Sequence, residues 1–227
     1  TSYLNLIKGN FVLTGTERMQ QRPIGILVDA LKDLGADIHY ENKSGYPPIK
    51  IEGGMIQGKD KISIQGNISS QYISSLLLIA SSLKKGLTLD IQGELTSRPY
   101  VTMTLEMLKE CGIAYDFKQN SIHIAKQPFQ ESVIYVEPDW SAASYWYSIV
   151  ALSKNGHIVL PGLKQHSLQG DMEIVEIMTH FGVESSFESD GLHLKKVALN
   201  SDKSLFDFKE CPDLAQTVVV VASALKK

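Results

Sequence analysis

Apolar residues recur along the chain in two helical patterns, separated by short runs that alternate or are continuously apolar. In the first pattern only one face is apolar. Ile24, Leu27, Val28, Leu31 and Leu34 fall at helical spacing, with Pro23 set for the first turn and Gly35 for the close. Val101, Leu105 and Leu108 repeat the stripe between Pro99 and Gly112, and Ile174, Val175, Met178 and Phe181 repeat it before Gly182. These predict outer helices with one face inward. In the second pattern the segment is apolar nearly all round, as in 72–80, 145–152 and the run that starts at Val218. Such a helix belongs in an interior, and these are too short for a bilayer, which takes about 20 residues. Val218-Val219-Val220-Val221 on its own suits a strand, because β-branched side chains favour sheet. Strands are predicted at 11–13, 61–64, 87–91, 121–124 and 157–160. Hairpin turns are predicted at Lys118-Gln119-Asn120 and Ser189-Asp190-Gly191.

The patterns repeat. Ser70, Gly86, Gly93 and Gly112 recur as Ser141, Gly156, Gly162 and Gly182, at separations of 71, 70, 69 and 70 positions. A half-copy precedes them, from Phe11 to Ala36. Another closes the chain, where Pro212-Asp213-Leu214 matches Pro138-Asp139-Trp140. The repeat register therefore assigns the valine run to a helix. Each unit reads as βαβαββ, giving an α/β fold with apolar helices inside and sheets outside. The chain begins at Thr1 and its repeats are incomplete at both ends, so it is expected to be an internal piece of a longer protein. A boundary is expected near Tyr135-Val136-Glu137-Pro138, dividing the chain into 1–136 and 137–227.

Composition narrows the function classes. The formal net charge of −3 gives no basic footprint for nucleic acid. Two cysteines, Cys111 and Cys211, form neither a disulfide framework nor a metal spacing, which favours a reducing, cytoplasmic setting. Cys111, at a helix end, is expected to be a small buried hydrophobe. The six histidines show no metal spacing, so no metal site is expected. Arginine is scarce, at three residues: Arg18, Arg22 and Arg98. All lead into amphipathic helices, where a planar guanidinium adds to a terminus already suited to anions.

Three segments could carry chemistry. Gly66-Asn67-Ile68-Ser69-Ser70-Gln71 leads into an apolar helix. Helix-terminal N–H groups with two hydroxyls make a phosphate seat, although a serine there is equally an ordinary N-cap. Thr96-Ser97-Arg98-Pro99-Tyr100 opens the next helix with a hydroxyl, a guanidinium and a phenol, and again a simple cap is the alternative. Asp213 opens the last apolar helix, where it could cap the helix or accept a proton. Its repeat mate Asp139 stands in the same place, and spacing does not separate the two.

In series these segments resemble the 5-enolpyruvylshikimate-3-phosphate synthase family. The resemblance runs through Leu13-Thr14-Gly15 with Arg18-Met19, Arg22-Pro23-Ile24-Gly25 through Leu31, and Tyr46-Pro47-Pro48. It continues in Ser69-Ser70-Gln71, Ser97-Arg98-Pro99-Tyr100, Asp139 to Tyr145, Gln169-Gly170-Asp171 and Pro212-Asp213. These occur in the family's order over nearly the whole chain. The resemblance implies an inside-out α/β barrel of two lobes, each of three βαβαββ units. Residues 1–136 would be most of the shikimate-phosphate-binding lobe, and 137–227 the first part of the second. It implies transfer of the enolpyruvyl group of phosphoenolpyruvate to shikimate-3-phosphate, without a cofactor, by a monomeric enzyme. Ser69, Ser70 and Ser97 would hold the 3-phosphate, Gln71 and Tyr100 the ring and incoming group, and Arg22 phosphoenolpyruvate. Asp213 would take the proton of the attacking hydroxyl.

The sequence departs from the family at Ala142, where the pattern has serine. It also lacks counterparts of the family's N-terminal lysine and arginine, its Asn-Ala-Gly-Thr segment and its C-terminal basic set. Residues 1–227 alone are therefore expected not to turn over. Three other readings remain open on sequence: a UDP-N-acetylglucosamine enolpyruvyl transferase, an RNA-end-processing protein on related units, and a repeat scaffold without catalysis.

Overall fold

The computed structural model describes every residue except Ile68, Asn200 and Lys227; Ile68, inside the predicted phosphate-seat segment, and Lys227, at the end of the last half-copy, therefore lie outside the described residues. The chain forms two compact units, Thr1–Val133 and Ile134–Lys227. In unit 1 a 3-10 turn precedes β1 (Gly9–Leu13), a short helix α1 (Glu17–Gln20), α2 (Gly25–Leu34) and the hairpin β2 (Asp37–Tyr40)–β3 (Ile49–Gly53). A full βαβαββ unit comes next: β4 (Lys61–Gln65), α3 (Ser70–Ala80), β5 (Leu87–Gln92), α4 (Arg98–Glu110), β6 (Asp116–Lys118) and β7 (Ser121–Ile124). Unit 2 holds α5 (Trp140–Leu152), β8 (His157–Leu160), a 3-10 turn continuing into α6 (Ile174–Thr179), the hairpin β9 (Val183–Glu188)–β10 (Gly191–Lys196), and α7 (Leu214–Ala224).

The repeat read from the glycine spacing is a repeat of sheet topology. The strand orders are β1-β3-β2, β4-β5-β7-β6 and β8-β10-β9. Each time, a strand runs into an amphipathic helix, and the second strand of the succeeding hairpin returns to pair antiparallel with the first. Gly35, Gly112 and Gly182 close the three amphipathic helices at φ of +112°, +81° and +75°. Side chains with a Cβ rarely adopt that conformation, so glycine marks each stop.

The valine run is helical, within α7. Tertiary register outweighs β propensity here because Leu214, Val218 and Val221 fall on one face and are buried. Interior burial of the apolar helices is incomplete: in α3, Ile73, Leu76, Leu77, Ile79 and Ala80 are covered but Leu78 is 56% exposed. It is one-sided for α5 and α7. Trp140, Tyr147 and Val150 are buried, whereas Tyr145, Ile149, Val219 and Val220 are more than half exposed. Unit 2 supplies a sheet to only one side of these helices. Cys111 is half-buried rather than buried, because it lies at the C-cap of α4. Cys211 is the covered thiol.

Gly66 holds the entry to α3 against the end of β5. Its N–H donates to the Gln92 carbonyl at 2.8 Å, continuing the parallel β4–β5 ladder by one bond. A Cβ there would meet the Glu94 carbonyl oxygen at 2.7 Å, which is backbone and cannot swing aside. Gly66→Ala is therefore expected to destabilise unit 1 by about 1–3 kcal/mol through overpacking. A fall in the denaturant midpoint at unchanged m-value would show it; an unchanged midpoint would refute the close approach.

Candidate active site

β4 and β5 are parallel neighbours, so α3 and α4 both start beyond the carboxyl ends of adjacent strands. Ligands bind at that edge in open α/β sheets. The loops leading into the two helices are stitched together. Thr96 donates to the Gly66 carbonyl through its N–H at 3.1 Å and its hydroxyl at 3.3 Å. The helices then pack side by side, with Ser74 Oγ 2.7 Å from Thr104 Oγ1. This brings Ser69, Ser70 and Gln71 to the same sheet edge as Ser97 and Tyr100.

The hydroxyls at these helix starts do not do the work of caps. Ser69 occupies the N-cap position of α3 without a side-chain capping bond. Among the described residues the Ser70 hydroxyl also has no protein partner. Ser97 holds the N-cap position of α4 in the left-handed region, at φ 53° and ψ 40°, again without a capping bond. That conformation costs a residue with a Cβ about 1–2 kcal/mol, and such strain concentrates at functional sites. Arg98 is turned away to the Phe117 ring, 4.7 Å from its centroid, as a cation–π contact.

Arg22 comes just after α1 and reaches the same region. It lines a cavity of about 230 Å³ with Met19, Pro23, Gln71, Tyr72 and Ser75. Tyr72 belongs to this region although its sequence context did not single it out. Its hydroxyl donates to the Pro23 carbonyl, tying the start of α3 to the Arg22-Pro23 turn. The available signal was a polar-tipped aromatic in the first turn of an otherwise apolar helix.

Asp213 belongs to unit 2, and the other predicted site residues belong to unit 1. Its contacts differ from those of its repeat mate. The Asp139 carboxylate caps α5, accepting from Ser141 N–H at 2.8 Å. Asp213 sits at the same point of α7, exposed and without a capping bond. Elsewhere the start of α5 is clamped structurally. Glu137 accepts from the Trp140 indole at 3.0 Å, Lys164 N–H at 2.8 Å and the Ser167 hydroxyl at 2.6 Å, and buried Asp171 accepts from the Ser141 hydroxyl. Cys211 lies two residues before Asp213 and is buried. Burial first, then Asp171 and other carboxylates, push its thiol up to about 11.

A sheet edge with two helix starts, uncommitted hydroxyls and a nearby arginine has the chemistry to hold an anion. The family model for EPSP synthase (3-phosphoshikimate 1-carboxyvinyltransferase) matches residues 1–227. The chain belongs to the EPSP synthase family. A 3-phosphoshikimate 1-carboxyvinyltransferase of Bacteroides fragilis (strain YCH46) is 46% identical over 226 residues, which is 99% of this chain and 55% of the relative. One from Marinomonas sp. (strain MWYL1) is 36% identical over 225 residues, 98% of this chain and 52% of the relative. The chain thus spans about half the length of the curated relatives it matches. Among solved structures, the EPSP synthase of Acinetobacter baumannii superposes with a TM-score of 0.70 at 20% identity, covering 97% of this chain and 51% of that one. The enolpyruvyl transferase NikO of Streptomyces tendae gives 0.57 at 15% identity, covering 83% and 44%. Both show the α/β fold of repeated units. No helix among the described residues is long and apolar enough to cross a membrane.

Proposed function

We propose that the protein carrying this chain transfers the enolpyruvyl group of phosphoenolpyruvate to the 5-hydroxyl of shikimate-3-phosphate, releasing phosphate. The observation that carries the reading is the pair of helix starts at the β4–β5 edge whose serines cap nothing. Ser69, Ser70 and Ser97 then hold the 3-phosphate, with Gln71 and Tyr100 at the ring and incoming group. Arg22, which lines the same cavity as Gln71, holds phosphoenolpyruvate. Two anions must lie side by side, so fixed donors and cations have to oppose their repulsion. Asp213 accepts the proton as the ring oxygen attacks the enol carbon. The tetrahedral adduct then expels phosphate by carbon–oxygen cleavage. Unit 1 is most of the acceptor-binding lobe and unit 2 the first part of the second lobe. The enzyme is read as cytoplasmic and monomeric.

Phosphate release by the full-length protein tests this against its sibling chemistry. Turnover is expected with shikimate-3-phosphate and not with UDP-N-acetylglucosamine; the reverse preference overturns the reading. Residues 1–227 alone are expected to turn over neither acceptor, since they supply only part of the site.

A further inference from the structure

Unit 2 carries a second constellation, on the face of its sheet away from the core. Leu192 and Leu194 of β10 point inward and are fully buried, so His193 between them faces outward. In the β10–β8 ladder Lys195 pairs with His157, which puts His157 on the same face, diagonal to His193. In the β10–β9 ladder His193 pairs with Ser186 and Gly191 with Glu188, so Glu188 shares that face too, and Asp190 occupies the turn between the strands. One nitrogen of His193 and one carboxylate oxygen each from Glu188 and Asp190 lie within 4.8 Å of one another. His193 Nε2 is 2.7 Å from Asp190 Oδ1 and 3.7 Å from Glu188 Oε2.

We propose that Glu188, Asp190 and His193 form a binding site for a borderline divalent transition-metal ion, of which Zn²⁺ is the probe of choice. One imidazole and two carboxylates suit Zn²⁺ and its neighbours better than the all-oxygen preference of Ca²⁺ or Mg²⁺. Tetrahedral Zn²⁺ with bonds of about 2.0–2.1 Å sets its ligand atoms roughly 3.3 Å apart, so only small adjustments of three side chains are needed. The remaining position stays open to water. Two contacts already orient the ligands. Ser186 Oγ donates to Glu188 Oε1 at 3.0 Å. His157 Nε2 lies 3.1 Å from His193 Nδ1. In the tautomer that donates Nδ1–H to His157, the His193 Nε2 lone pair faces both carboxylates, the geometry in which a ligating histidine is held by its other nitrogen. Histidine spacing does not reveal the site, because two of the three ligands are carboxylates of one hairpin and the second histidine, His157, is brought in only by the β8–β10 register. The proposal is independent of the transfer chemistry, which uses none of these residues.

Zn²⁺ titration of the untagged 227-residue chain, monitored by calorimetry and by the histidine ring resonances in NMR, tests it. One equivalent is expected to bind, with the His193 ring the most strongly shifted. Asp190→Asn, at an exposed turn, is expected to weaken binding at least about tenfold, and His157→Phe, which keeps the ring but removes the orienting nitrogen, by about tenfold. Shifts confined to other histidines, such as His39 beside Asp37, or an affinity unchanged by Asp190→Asn, would overturn it. The NMR arm uses the unmodified chain, so it reads the site even if a variant fails to fold.

Discussion

Asp213→Asn in the full-length protein is expected to lower kcat by about 10²- to 10⁴-fold, the usual contribution of a positioned general base. At about 1.4 kcal/mol per tenfold, that is roughly 3–5 kcal/mol of lost transition-state stabilisation. The substitution keeps shape and removes only the capacity to accept a proton, so KM for both substrates is expected to stay within a few-fold. The structure makes the test discriminating. A capping aspartate would reveal itself in stability when replaced by alanine, since losing a cap costs about 1 kcal/mol, whereas asparagine caps about as well as aspartate. Asp139 is such a cap, bonded to Ser141 N–H, whereas Asp213 at the same repeat position leaves its helix uncapped. Asp213→Ala should therefore leave the unfolding midpoint in place, while Asp213→Asn lowers kcat. Unchanged turnover removes Asp213 from the mechanism. A lowered midpoint with unchanged turnover returns it to a structural role.

That pair shows where sequence stops being sufficient. Asp139 and Asp213 each come after a proline and open apolar helices, and nothing in the order of residues separates them. The difference lies in one backbone angle. Asp139 has ψ of 118° and can fold its carboxylate over the first turn, whereas Asp213 is already helical at ψ −22°. The repeat was legible because it rests on glycines that close helices at positive φ, a local requirement that a sequence displays directly. Helix assignment of Val218–Val221 came from that register and held against propensity. The one-sided exposure of α5 and α7 was not legible, because apolarity on every side states what a helix could bury and not what this stretch of chain supplies. Arg98 was placed correctly at a helix start, yet its guanidinium went to Phe117 on β6, a contact set by how α4 packs on its sheet. His157 and His193 were dismissed for the same kind of reason, since strand register brought them together.

Replacing both Ser69 and Ser70 by alanine in the full-length protein is expected to raise the dissociation constant for shikimate-3-phosphate at least about 100-fold. A hydrogen bond to a charged group is worth about 1.5–3 kcal/mol, so two give roughly 3 kcal/mol at the low end. Unphosphorylated shikimate supplies the control, because its affinity contains no phosphate contact and should change little. Affinity for phosphoenolpyruvate should likewise hold, since Arg22 enters from the α1–α2 turn and is held there through Pro23 and Tyr72. Stability decides between seat and cap. Neither hydroxyl caps α3, so the double variant should unfold within about 0.5 kcal/mol of the parent, as surface substitutions do. Two serines that served the helix would instead cost about 1 kcal/mol or more and leave the preference for the phosphorylated acceptor intact. Undiminished affinity for shikimate-3-phosphate would end the phosphate-seat reading. The apolar body of α3 explains why that reading is favoured: Ile73, Leu76 and Leu77 anchor the helix in the core and fix its axis. Its N-terminus is thereby anchored at the sheet edge, with Ser69 exposed and Ser70 half-buried, which suits preorganised binding of a doubly charged oxyanion.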